Sequence, residues 1–210
     1  MQKTIVLATR NKNKQRELQD LLKTTNWTVL SMQEFPDCPE IEEDGRTFLE
    51  NAEKKALAVA AYTGLPCLAD DSGLEVDALG NAPGVRSARY ARGVGSTDEE
   101  NTARVLDELR NTPDEKRTAR FVCAAVIAVG EEILFSVLQN VEGVLTRAPI
   151  GANGFGYDPV FYYPPFQKTF AEVNAEEKNQ VSHRARALKS VVEFLNAYNS
   201  DQKLLNNRVK

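Results

Sequence analysis

The stretch Ala119-Arg120-Phe121-Val122-Cys123-Ala124-Ala125-Val126-Ile127-Ala128-Val129 decides the fold, together with Ile133-Leu134-Phe135-Ser136-Val137-Leu138-Gln139-Asn140-Val141-Glu142-Gly143-Val144-Leu145. Both runs are rich in β-branched and aromatic residues, and only Gly130-Glu131-Glu132 separates them. Two long strands joined by a short polar link predict an antiparallel hairpin. Upstream, Thr4–Thr9 and Leu65–Ala69 are continuous apolar runs, the pattern of strands buried on both faces. The second runs directly into Asp70, and Thr28–Leu30 could add a short strand.

Helical patterns alternate with these strands. Lys12–Lys23 carries Leu18, Leu21 and Leu22. Thr47–Tyr62 puts Phe48, Ala52, Ala56, Val59 and Ala60 on one face, and Thr47 with Glu50 forms a capping-box signature. Gly64 and Pro66 end that helix. Thr97–Leu109 is a third helix, capped by Ser96 or Thr97. Ser182–Tyr198 is a last one, with Ala185, Leu188, Val192 and Leu195 as its stripe. The order predicts an α/β fold with a mixed sheet flanked by helices and a central cleft. Residues 1–199 read as one domain, and 200–210 as a polar, frayed tail.

The chain has 210 residues, enough to bury a real core. Its net charge of -4 argues against a general nucleic-acid binder, which presents a basic surface. A local basic cleft for a small anion remains compatible with that balance. The three cysteines, Cys38, Cys67 and Cys123, are far apart and lack Cys-x-x-Cys spacing, so reduced buried thiols are expected rather than a disulfide or zinc framework. Nothing has the length of a membrane span or a signal segment, so the expected location is cytoplasmic.

Five polar clusters could carry chemistry. Thr9-Arg10-Asn11-Lys12-Asn13-Lys14 leads from the first strand into a helix, where free N–H groups and the helix dipole favour an anion. It has no glycines and is not a P-loop. Glu42-Glu43-Asp44 offers oxygen donors to a hard cation such as Mg²⁺, or is a plain acidic loop. Asp70-Asp71-Ser72-Gly73 places two carboxylates after a buried strand, where uncompensated charge is costly; Asp-Ser-Gly also suits a turn. One acid could hold Mg²⁺ while the other activates water. Gly151–Pro159 sets Phe155, Gly156, Tyr157 and Asp158 in a glycine-rich loop that a flat base could approach. Lys178 with Ser182-His183-Arg184 gathers donors near a helix start, and His183 is the only histidine in the chain.

The sequence resembles the non-standard purine nucleoside triphosphate pyrophosphatases, the inosine/xanthosine triphosphate pyrophosphatase family, from about Ile5 to Leu195. The segments that carry the resemblance are Ala8-Thr9-Arg10-Asn11 with Lys14; Thr47-Phe48, Glu50-Asn51-Ala52 and Lys55-Ala56; and Ala69–Leu74. Pro83-Gly84-Val85, Ser87–Tyr90, Phe155–Pro159, and Glu177-Lys178 with Ser182-His183-Arg184 complete it. The resemblance implies an elongated two-lobed α/β fold with a long mixed sheet, a homodimer and Mg²⁺. It implies hydrolysis of inosine, deoxyinosine and xanthosine triphosphates to monophosphate and pyrophosphate.

By matching motif positions, Thr9, Arg10, Asn11, Lys12, Asn13 and Lys14 would bind triphosphate. Glu43 (or its neighbour Glu42) and Asp71 would serve Mg²⁺, with Asp71 the proton acceptor and Lys14, Lys55 and Asp70 supporting catalysis. Ser72, Phe155, Gly156, Tyr157, Asp158, Lys178, His183 and Arg184 would contact substrate, with no nucleic acid or membrane involved. Two rival readings are an aspartyl-phosphate phosphatase using Asp70 and a nucleotide-binding module without turnover.

Overall fold

The computed structural model describes residues 3–23 and 25–207, with the side chains of Leu21 and residues 199–207 outside the description. One seven-stranded sheet organises the described residues, in the order β2-β1-β3-β4-β5-β6-β7. The strands are β1 Lys3–Leu7, β2 Trp27–Leu30, β3 Cys67–Val76, β4 Thr118–Val129, β5 Glu132–Leu145, β6 Phe161–Tyr163 and β7 Lys168–Thr169. The helices are α1 Lys12–Leu22, α2 Phe48–Thr63, α3 Asp98–Glu108, α4 Ala175–Val181 and α5 His183–Asn207. β1 lies parallel to both β2 and β3, and every later pairing is antiparallel. The predicted mixed sheet and the β4–β5 hairpin are both present.

Each face of the sheet carries its own core. Ala52, Ala56, Val59 and Ala60 of α2 pack over Ala69, Ala124 and Val126. On the other face Leu18 and Leu22 of α1, and Leu188 and Leu195 of α5, pack over Leu68, Cys123 and Ala125. Strand alternation makes this division: Leu68 faces one side, Ala69 the other. A third cluster, including Phe121, Phe161 and Phe170, fills the far end of the sheet.

Three local expectations change. β3 does not stop at Ala69; it runs on to Val76, so Asp70 and Asp71 lie inside a strand, paired with Ala125 and Ala124 of β4. Their polarity mimics a turn, but the β4 ladder and the cations around them keep the backbone extended. Thr47 caps α2 by accepting the Glu50 N–H at 3.1 Å, yet the reciprocal half of the box is absent. The Glu50 carboxylate takes the Arg46 N–H at 2.7 Å instead. Finally, α5 continues to Asn207, through most of the segment read as a frayed tail; residues 208–210 lie outside the described set.

Arg117 locks the far end. Its side chain, 2% exposed, donates Nε to the Leu145 carbonyl at 2.9 Å, Nη1 to Leu109 at 2.8 Å and Nη2 to Thr146 at 2.8 Å. It thereby ties the start of β4 to the ends of α3 and β5. Arg117→Met takes this partner from the Leu145 and Thr146 carbonyls, whereas Leu109 keeps the Thr112 N–H at 3.0 Å; each orphaned buried acceptor costs about 1–3 kcal/mol. The expected result is a loss of about 3 kcal/mol or more in urea unfolding; a loss below about 1 kcal/mol would contradict this role.

Candidate active site

The site begins where β1 leaves the sheet. β1 pairs with β3 only at Val6–Cys67 and Leu7–Leu68, then departs toward α1. Beyond that point the edge of β3 has lost its neighbour, and its backbone groups need other partners. The Leu68 carbonyl still accepts from the Ala8 N–H at 2.9 Å. The Asp70 carbonyl accepts from Lys55 Nζ at 2.7 Å, and the Leu74 N–H donates to Ser87 Oγ at 2.9 Å. Polar side chains replace the missing strand, and this open edge is where they gather.

Successive residues of a strand face opposite ways, so Asp70 and Asp71 do not form a pair on one surface. Asp71 faces α2: its Oδ2 accepts from Asn51 Nδ2 at 3.0 Å, and its Oδ1 lies 3.8 Å from Lys55 Nζ. Glu43 Oε1 meets the same ammonium at 3.0 Å. Burial pushes the Asp71 carboxyl up and the nearby Glu43 adds to it, outweighing the pull of Lys55 and Lys14. Asp70 faces α1 and α5: its Oδ2 lies 3.1 Å from Lys14 Nζ and 3.4 Å from Arg184 Nε. Burial opposes its ionisation, but Lys14 and Arg184 prevail and hold its carboxyl well below the usual range. Asp70 Oδ1 is buried without a hydrogen-bond partner among the described residues.

Two adjoining cavities meet at Ser72. One, of about 290 Å³, is lined by Thr9, Arg10, Asn11, Lys14, Glu43, Lys55, Asp71 and Ser72 among others. The second, of about 100 Å³, is lined by Lys14, Ser72, Phe155, Gly156, Tyr157, Asp158, Lys178, His183 and Arg184 among others. Asn11, Lys14 and Ser72 border both. Glu43, Asp71 and Lys55 therefore lie at one end, and Lys178, His183 and Arg184 with the Phe155 ring at the other.

Within the second cavity the residues hold one another. Arg184 donates Nη2 to Ser72 Oγ at 2.8 Å and Nη1 to Glu17. Lys178 Nζ lies 2.6 Å from Asp158 Oδ2 and 3.3 Å from Glu17 Oε1. The Phe155 ring covers both cations, 4.8 Å from Lys178 Nζ and 5.7 Å from the Arg184 guanidinium carbon. His183 stacks on Phe121 with ring centroids 4.8 Å apart, and its Nδ1 is buried without a partner among the described residues. Burial, then Arg184 and Lys178, hold this imidazole well below its ordinary range, so it is neutral near pH 7.

Several expected contacts take a different form. Asn11 is the N-cap of α1, and its Oδ1 accepts the Asn13 and Lys14 N–H groups at 3.0 and 3.2 Å. Two of the N–H groups expected to be free for an anion are thus occupied. Lys12 lines neither cavity, and Asn13 lines a separate groove against α3. Arg10 Nη2 donates to the Cys38 carbonyl at 2.7 Å. Tyr157 is buried, with its hydroxyl donating to the Ser87 carbonyl at 2.8 Å, so it packs the loop. Glu42 is exposed, whereas Glu43 borders the cavity. Sequence reasoning missed Glu17 and Asp98, whose Oδ2 accepts the Gly156 N–H at 2.7 Å, and gave Ser87 no role beyond its place in a motif segment. Glu17 had one available signal: it lies one helical turn after Lys14, on the same face.

A model of the Ham1 family matches residues 5–194. The chain belongs to the Ham1 family. The match spans β1 to the middle of α5 and so includes every residue of both cavities. Among curated relatives, a dITP/XTP pyrophosphatase of Desulforamulus reducens is 52% identical over 91% of this chain and 95% of its own length. One from Geobacter sulfurreducens is 50% identical over 88% of this chain and 92% of its own. The solved HAM1 protein of Coxiella burnetii superposes with a TM-score of 0.85 at 44% identity, covering 93% of this chain and 99% of that one.

Proposed function

We propose that this chain is a Mg²⁺-dependent pyrophosphatase of non-standard purine nucleoside triphosphates, converting dITP, ITP and XTP to monophosphate and pyrophosphate. The observation that carries the reading is the pair of adjoining cavities, with Glu43, Lys55 and Asp71 at one end and Lys178, His183 and Arg184 at the other. A triphosphate fits the first set and an oxo-purine the second. The names of the close relatives support dITP and XTP among these substrates.

The donor set fits a hard cation. Two carboxylates, Glu43 and Asp71, flank one ammonium, and Mg²⁺ is commonly held by one or two carboxylates plus substrate phosphates. Among the described residues no cluster of three or more His, Cys, Asp and Glu side chains could hold a metal ion. When bound, Mg²⁺ would polarise the phosphates and offset their charge. Lys14 and Lys55 neutralise charge that builds on the leaving group. Asp71 accepts the proton of the water that attacks the α-phosphorus. The new P–O bond forms as the bond to the α–β bridging oxygen breaks, and pyrophosphate departs with that oxygen.

Base choice follows from donors and acceptors. Hypoxanthine and xanthine carry an oxo acceptor where adenine carries an amino donor. The Arg184 N–H groups satisfy the former and face the latter unfavourably. A homodimer belongs to the proposal through the family resemblance. Among the described residues, no helix is long and apolar enough to cross a membrane.

The test is pyrophosphate release from dITP, ITP, XTP, GTP and ATP, with Mg²⁺ and with EDTA. Turnover of the first three, abolished by EDTA, is expected. Orthophosphate from simple monoesters, or tight binding without turnover, would overturn the reading.

A further inference from the structure

Asn51 is fully buried, and no step above uses it. It lies on the face of α2 that packs against the sheet, one helical turn before Lys55. Both ends of its carboxamide are engaged. Nδ2 donates to Asp71 Oδ2 at 3.0 Å, and Oδ1 accepts the Gly45 N–H at 2.8 Å. The two partners fix the amide's orientation: a flipped amide would set donor against donor and acceptor against acceptor.

Gly45 closes the acidic segment that carries Glu43. Residues 39–45 form neither helix nor strand, so other elements must hold them. Arg10 grips the Cys38 carbonyl at 2.7 Å, Arg89 grips the Glu43 carbonyl at 2.8 Å, and Lys55 meets the Glu43 carboxylate at 3.0 Å. At the far end the holder is Asn51. The approach is close enough that a Cβ on Gly45 would come within 2.6 Å of Asn51 Oδ1. Asp71 is fixed from two sides, by Asn51 on Oδ2 and by the Ser72 N–H on Oδ1 at 3.0 Å. The carboxylate keeps further lone pairs for a cation or a water.

We propose that Asn51 is a positioning residue: its one carboxamide orients Asp71 and, through Gly45, seats the segment that brings Glu43 to Lys55. The two carboxylates on either side of Lys55 are thereby held in register by a residue that touches neither cation nor nucleotide. The inference rests on the reading of Glu43 and Asp71 as cation ligands and deepens it. Displacement of a reacting group by about 1 Å can cost about 10²-fold in rate, so the loss is expected in kcat rather than in nucleotide affinity.

Asn51→Leu tests this with a side chain of similar volume, and Gly45→Ala tests the same link from its other end. Each is compared with the wild type for kcat and KM on dITP, and for Mn²⁺ affinity by EPR with the non-hydrolysable α,β-imido analogue of dITP. For Asn51→Leu the expected result is a fall in kcat of about 30-fold or more, KM within about threefold, and Mn²⁺ binding weakened about tenfold. Gly45→Ala should move kcat and Mn²⁺ affinity the same way by about threefold or more, and it carries the test if Asn51→Leu does not fold. Variants that lose only thermal stability, with kcat and Mn²⁺ affinity unchanged, overturn the inference. A rise in KM with kcat unchanged also overturns it. A wild type that releases no pyrophosphate from dITP overturns the functional reading instead.

Discussion

Asp71→Asn is expected to lower kcat for pyrophosphate release from dITP by about 10³-fold. A positioned general base contributes about 10²- to 10⁴-fold, and the change also removes a charge from the proposed cation site. The substitution conserves shape, so the fold should survive. It does not conserve hydrogen bonding. If the new amide oxygen meets Asn51 Nδ2, its nitrogen faces the Ser72 N–H and Lys55, donor against donors. Lys55 also loses one of the two carboxylates at its ammonium and keeps Glu43. Asp70→Asn is the informative contrast, because that acid lies on the other face of β3 and balances Lys14 and Arg184. Its loss should lower thermal stability as well as turnover. Near-normal turnover by Asp71→Asn would refute the assignment of the proton acceptor.

Arg184→Ala should reduce the preference for ITP over ATP by about 10- to 100-fold. An unpaired buried polar group costs about 1–3 kcal/mol, and Arg184 is the group placed to impose that cost on an amino-purine. The residue is buried and answers three partners: Asp70, Ser72 and Glu17. Removing one member of a buried ion pair costs about 3–5 kcal/mol, so unfolding should shift as well. Arg184→Lys separates the effects, since it keeps the charge and loses the planar fork. An ITP-to-ATP ratio unchanged in both variants would exclude Arg184 from base choice.

The parts of this fold legible in the sequence were those in which local pattern and tertiary environment agree. The β4–β5 hairpin is dense in strand-forming residues around one glycine turn. The α2 stripe of Phe48, Ala52, Ala56 and Val59 is buried as its spacing predicts. The second half of β3 was hidden because Asp70-Asp71-Ser72-Gly73 is a good turn locally, and only the β4 ladder makes it a strand. The opposite facing of the two acids follows once the strand is known, and not before.

The site residues came mostly through motif resemblance. Periodicity alone treats Asn51 and Lys55 as polar interruptions of an apolar face, although both are buried there. Glu17 showed only its place one helical turn after Lys14, because its partners, Lys178 and Arg184, stand at the other end of the chain. No local window brings those residues together.

The seat of His183 also makes the molecule its own probe. With one histidine in the chain, the imidazole region of a nitrogen-edited NMR spectrum should contain one residue's signals, needing no assignment. That ring borders the proposed base cavity and lies against Phe121, so a bound purine would add its own ring current to a single resonance. Because the imidazole is held neutral, the signal should stay fixed from about pH 7 upward. Occupancy of the base end could then be followed nucleotide by nucleotide, in unlabelled substrate and without turnover.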